Sequence, residues 1–221
     1  MMKQIKRLTR MAYLISTNKR NAYTISKEEY VELRDYATQY NIKLSGFKRF
    51  VGDIYLIKEL IDDIVTIAND FPQITYGRKT VEITLDYSSR DDDFATTVNH
   101  VIYINGNLFS DIEYLKTEYN LAVEQEKFVK DTDYRSIIRH ELGHVVSYKY
   151  GINSMEITKR ILKTNSKTKV LDYVRKNLSF YSAECSDGSE IISECFSAYY
   201  SDVNTLFAQQ FLKECLKKGV M

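Results

Sequence analysis

Proline occurs once and glycine eight times in 221 residues, so the chain has few breakers of regular structure. That scarcity excludes a collagen-like or linker-dominated protein and favours a mainly helical one. Tryptophan is absent, while tyrosine is abundant at 18. The three cysteines, Cys185, Cys195 and Cys215, cannot all pair within one chain, and none belongs to a CxxC. A disulfide scaffold is therefore not expected. No uninterrupted apolar run marks a membrane span or a signal peptide. These absences together point to a reducing, cytoplasmic-type setting. A protein released by lysis, packaged in a virion or exported by a dedicated machine carries the same signs.

What remains is the composition of an ordinary globular domain, 44% hydrophobic and 28% charged. The net charge of +1 selects no partner by its sign, but the cations are unevenly spread. Lys3, Lys6, Arg7, Arg10, Lys19 and Arg20 stand without an acid in residues 1–20. Lys159, Arg160, Lys163, Lys167, Lys169, Arg175 and Lys176 face only Asp172 in residues 159–176. Solvated helix faces account for both segments. A surface for nucleic acid or another anionic partner is the sharper alternative.

Apolar periodicity predicts a helix over 26–41, opened by Ser26 as its cap, and a strongly apolar helix over 47–69 that Pro72 stops. Alternation predicts strands over 80–87 and 100–106. Asp91, Asp92 and Asp93 lie in the turn between them, able to bind a cation but more simply an acidic loop facing water. A helix follows over 111–129. A helical series then runs from Asp133, with breaks near Gly151, Asn165, Gly188 and Asn204. The expected class is α+β, with an N-terminal helical region over 1–75 and a second domain over 76–221.

Residues 134–151 read YRSIIRHELGHVVSYKYG and contain His140-Glu141-Leu142-Gly143-His144, an HExxH. Two histidines four residues apart project from one helical face and can reach one metal ion. Glu141 is offset around the helix, where it can reach a water without being a ligand and act as general base. Ile137, Ile138, Leu142, Val145 and Val146 supply packing surface. Ser136, Gly143 and Ser147 are expected to leave the histidine side uncrowded. Short motifs of this kind recur by chance. Here, however, both histidines come from a chain with only three, on a helix whose flanks call for burial. The third, His100, begins a predicted strand and reads as structural.

A catalytic zinc site ordinarily has three protein ligands and one open position. No further histidine follows closely, so a carboxylate or a cysteine from a later helix is required. The segment GSEIISECFSAYYSD (188–202) offers Glu190 and Glu194, four apart on one face. Asp187 to Glu190 also has the form of a helix capping box. Zinc chemistry explains both acids, one as a ligand and the other as acceptor of a histidine N–H.

HELGH followed by an E-x-x-S-E-x-F-S helix resembles the anthrax lethal factor-type zinc peptidases. It is similar also to the Pro-Pro endopeptidases and to metallopeptidase-like proteins of phage head morphogenesis. Ile191 and Ile192 stand where that helix usually carries aromatics. The resemblance covers about residues 95–205 and implies a zincin-like domain of the gluzincin type, hydrolysing peptide bonds with Zn2+. It makes His140, His144 and Glu190 the metal ligands and Glu141 the general base. It places Glu194 behind a ligand histidine and gives Tyr181 the role of oxyanion donor. Cys185, in the same loop, could contact the metal but reads better as a plain thiol. The resemblance also implies that HVIYING (100–106) is the edge strand that an extended protein or peptide substrate would join. An alternative function is assembly: a phage or mobile-element protein, binding a phage or host partner, that keeps the fold with zinc as a staple.

Overall fold

The computed structural model describes residues 24–89, 93–203 and 205–219. The basic segment 1–20, Asp91, Asp92 and the break at Asn204 lie outside them. The architecture is α+β, with a small sheet among many helices.

Helix α1 (Lys27–Gln39) opens with a full capping box. The Ser26 hydroxyl accepts from the Glu29 amide at 3.1 Å, and the Glu29 carboxylate accepts from the Ser26 amide at 2.7 Å. Strand β1 (Lys43–Ser45) follows, then α2 (Ile54–Asp70). The sequence predicts that second helix from residue 47, but it begins at Ile54. Gly52 holds φ at 140°, outside helical space, with the backbone of Ser110 pressed against it. A short 3-10 turn over Phe47–Arg49 is all that forms before it. Asp53 then caps α2 by accepting from the Tyr55 amide at 2.8 Å.

Strands β2 (Glu82–Asp86), β3 (Ala95–Val98) and β4 (Val101–Asn105) complete the sheet. Its order is β1-β2-β4-β3. The first three strands run parallel, and β3 pairs antiparallel with β4. Ile83, Leu85, Ile102 and Ile104 turn one face of the sheet into the core. The expected edge strand is corrected by this order. HVIYING forms β4, an interior strand, and the edge next to it is β3. The expected division at residue 75 falls inside a β1–α2–β2 unit, and one hydrophobic core runs from Ile25 to Cys215 across it.

After α3 (Gly106–Phe109) and α4 (Ile112–Glu124), the chain enters α5 (Ser136–Tyr150). Gly151 ends α5 in the left-handed region. Helices α6 (Ser154–Ile161) and α7 (Lys167–Asn177) carry the second basic segment. There Lys159 pairs with Glu156 and Arg160 with Glu214. Helix α8 (Ser189–Tyr200) is buried from Glu190 through Ala198, and α9 (Leu206–Gly219) packs on it. Among the described residues no helix is long and apolar enough to cross a membrane.

Helices α5 and α8 approach closely, and Gly143 sits at their contact, against the helix whose Glu190 and Glu194 face the histidines. A Cβ there would stand 2.6 Å from Ser193 Cα and 3.0 Å from Ser193 N. The obstruction is backbone, so no rotamer change relieves it. Gly143→Ala is expected to lower stability by about 1–3 kcal/mol through overpacking. Urea unfolding would measure the loss, and Ser193→Gly should not restore it. An unchanged midpoint would refute the close contact.

Candidate metal centre

Each helix turn places one part of the site. His140 and His144 lie on successive turns of α5, and Glu190 lies in the first turn of α8, facing them. Glu190 Oε2 stands 3.2 Å from His140 Nε2 and 3.3 Å from His144 Nε2. One ligand atom from each residue falls within 4.8 Å of the others. Zinc–nitrogen and zinc–oxygen bonds of about 2.0–2.2 Å in a tetrahedron put neighbouring ligand atoms roughly 3.3 Å apart. The two measured separations match that spacing. Glu190 Oε2 is buried and, beyond these two histidine contacts, meets no other polar partner among the described residues. Two imidazoles and a carboxylate are also an ordinary donor set for zinc, so these residues fit the ion.

Glu194, one turn further along α8, has no exposed surface and accepts from His140 Nδ1 at 2.8 Å. That bond favours a proton on Nδ1 and turns Nε2 toward Glu190. Burial opposes a charge on His140, but the carboxylates of Glu190 and Glu194 outweigh it and push its pKa up to about 10. Burial likewise opposes charge on Glu190, and the two histidines nonetheless hold it well below the usual carboxylate range. The pocket is thus organised around positive charge. Glu190 makes no capping box. Asp187 instead accepts from the Ser189 amide at 3.0 Å, and Gly188 begins the helix in the left-handed region.

Glu141 is buried in the wall of a cleft shared with His140, His144, Tyr181 and Glu190. Its Oε2 accepts from the Thr97 hydroxyl at 2.7 Å. Tyr181 lies in a 3-10 turn over Tyr181–Ala183, with its ring centroid 5.9 Å from that of His140. Burial, reinforced by the charges of Glu190 and Glu141, raises its phenol above the ordinary value, so the O–H remains a donor at neutral pH. Cys185 Sγ lies 3.8 Å from Glu190 Oε1, outside the three-ligand group. His100 sits in the β3–β4 turn, outside the three-ligand group. A cavity of about 250 Å³ opens beside His140, lined by Phe94, Phe128 and Ile137 among others.

Two supports were not read from the sequence. Thr97 belongs to β3, a four-residue strand with no alternation long enough to announce itself. Asp63 left a signal: it interrupts the apolar series Leu60, Ile64, Ile67 of α2 while being only 4% exposed. Its carboxylate accepts from Arg135 Nε at 2.8 Å and from Arg139 Nη2 at 2.9 Å, anchoring the helix that carries His140.

The two ligand assignments make distinguishable predictions. Glu194→Ala is expected to weaken metal binding by about 10–100-fold, the usual cost of losing an outer support. Glu190→Ala should lose more, because a direct ligand goes. Competition with a chromogenic chelator would measure both, and the reverse order would exchange the two roles. No family model, no curated protein and no solved structure matches this chain.

Proposed function

We propose that this chain is a zinc metallopeptidase of the gluzincin type with a zincin-like fold, similar to the lethal factor and Pro-Pro endopeptidase group. The observation that carries the reading is the convergence of His140, His144 and Glu190 with a non-ligand carboxylate, Glu141, in the same cleft wall. A purely structural metal site has no use for that carboxylate, and structural zinc sites are closed by a fourth protein ligand.

Zinc held by His140, His144 and Glu190 would lower the pKa of a water and polarise a peptide carbonyl. Glu141 takes the proton from the attacking water and returns it to the leaving amine. The Thr97 hydroxyl holds the Glu141 carboxylate toward the cleft. Tyr181 donates its O–H to the negative charge that develops on the carbonyl oxygen. Glu194 keeps His140 in the tautomer whose Nε2 binds metal. Strand β3 offers its outer backbone to an extended substrate.

The test is metal analysis of the purified protein together with digestion of an unfolded protein mixture, scored by new N-termini. One zinc per chain is expected, with cleavage that stops on chelation and returns when zinc is restored. A zinc-loaded protein that cleaves nothing would overturn the peptidase reading.

A further inference from the structure

The cleft that holds the metal residues is polarised along its length. Ala95, Thr96, Thr97 and Asn99 form one side, and Tyr148 stands at the Asn99 end. The opposite end carries Asp93 and Glu184 beside Lys127. At the Tyr148 end the charges change sign. Lys79 Nζ donates to the Tyr148 hydroxyl at 3.3 Å and lies 6.0 Å from the centre of that ring. Lys149, next along α5, donates to the Lys79 carbonyl. Lys43, from β1, reaches the Arg78 carbonyl at 3.5 Å. Ammonium groups from three separate elements thus gather around residues 78–79.

None of Lys43, Arg78, Lys79 and Lys149 forms an ion pair with a described carboxylate. Glu82 shares the corner and, while its Oε1 accepts from Ser45 Oγ at 2.5 Å, its carboxylate offsets part of the positive charge of these four cations. Burial and the neighbouring Lys79 lower the pKa of Lys149, and His100 in the same corner is lowered by burial and by the lysines against the opposing pull of Glu82. The corner therefore carries net positive charge, with Lys43, Arg78, Lys79 and Lys149 against Glu82, next to a residue that lines the cleft.

We propose that this corner docks acidic side chains of a peptide lying in the cleft, held by Lys79 and Lys43 with Lys149 behind them. The inference rests on the cleft being a peptide-binding cleft, as the proposed function has it. An acidic peptide suits the geometry better than nucleic acid. Further along the cleft lie Glu141 and Glu190, and Lys127 at the far end stands with Asp93 and Glu184, so a phosphate backbone is repelled beyond the corner. A peptide needs negative charge at one end and a neutral backbone at the metal.

The experiment measures binding of fluorescein-labelled short peptides, identical except for Glu, Gln or Lys at a terminal cluster, to full-length protein by anisotropy. The Glu peptide is expected to bind about 10-fold more tightly than the Gln peptide at low salt, with the preference fading as salt screens the corner. The K43E/K79E variant changes two exposed side chains, and should bind both peptides equally with its circular dichroism unchanged. Equal binding of Glu and Gln peptides to the wild type would overturn the proposal. So would a preference that survives in K43E/K79E, or single-stranded DNA binding more tightly than the Glu peptide and being lost in that variant. If the Glu peptide docks through these lysines yet no peptide is ever cleaved, the docking site stands and the peptidase reading falls.

Discussion

Glu141→Gln is expected to leave zinc content unchanged and to slow peptide hydrolysis by about 10²–10⁴-fold, the usual range for a lost general base. Glutamine has the shape of glutamate, and its carbonyl oxygen can still accept from the Thr97 hydroxyl, which meets Glu141 at 2.7 Å. The ligands His140, His144 and Glu190 are untouched, so metal affinity should hold. What disappears is the capacity to take and return a proton. Single-turnover cleavage and metal analysis on the same preparation separate the alternatives. A Gln variant as fast as wild type would mean that another group moves the proton. A variant that has lost zinc would mean that Glu141 supports the metal.

Asp63→Ala is expected to destabilise the fold by about 3–5 kcal/mol. The Asp63 carboxylate receives two hydrogen bonds from Arg135 and two from Arg139, at 2.8–3.1 Å. Arg139 is only 7% exposed. Without Asp63 its guanidinium keeps the Ser201 hydroxyl at 2.8 Å and a distant Asp133 carboxylate at 3.9 Å. A buried cation left so poorly matched is far more costly than the pair was favourable. A loss of that size is a large share of the roughly 5–15 kcal/mol that holds a domain together. The double variant Asp63→Leu, Arg139→Met removes both charges and should recover most of it. Urea unfolding of the three proteins decides the matter. A loss under about 1 kcal/mol in Asp63→Ala would show that the two arginines find solvent instead.

The helical part of the fold was legible because its signals are local. Ser26 and Glu29 announce a cap, Pro72 follows the end of α2 and Gly151 ends α5, each through its own backbone chemistry. The spacing in HELGH and in Glu190–Glu194 was readable for the same reason: four residues along a helix is a statement about one face. The sheet edges were not legible. Strand β1 has three residues and β3 has four, and each is a strand only because a distant partner completes its ladder. Thr97 therefore could not be placed beside Glu141 from its sequence neighbours. That Gly143 gives way to the backbone of Ser193 was not legible, because local spacing does not reveal which helix will lie against it. Asp63 was readable in principle, since an acid among Leu60, Ile64 and Ile67 has to be answered by a cation, but the cation lies on a different helix.

Strand β3 carries a consequence for how the protein behaves at high concentration. Its inner side is paired with β4, and its outer side meets no other described strand. The proposed approach of substrate to a metal from that side would need the edge left open, and an open edge is also a template for a second molecule. The chain limits that hazard by length and composition. The ladder is four residues long, two of them are threonines, and Asn99 turns the backbone away at φ 59° immediately after it. A strand so short gives a guest peptide register only when side chains bind elsewhere in the cleft. Two copies meeting edge to edge would have only the short ladder to hold them together.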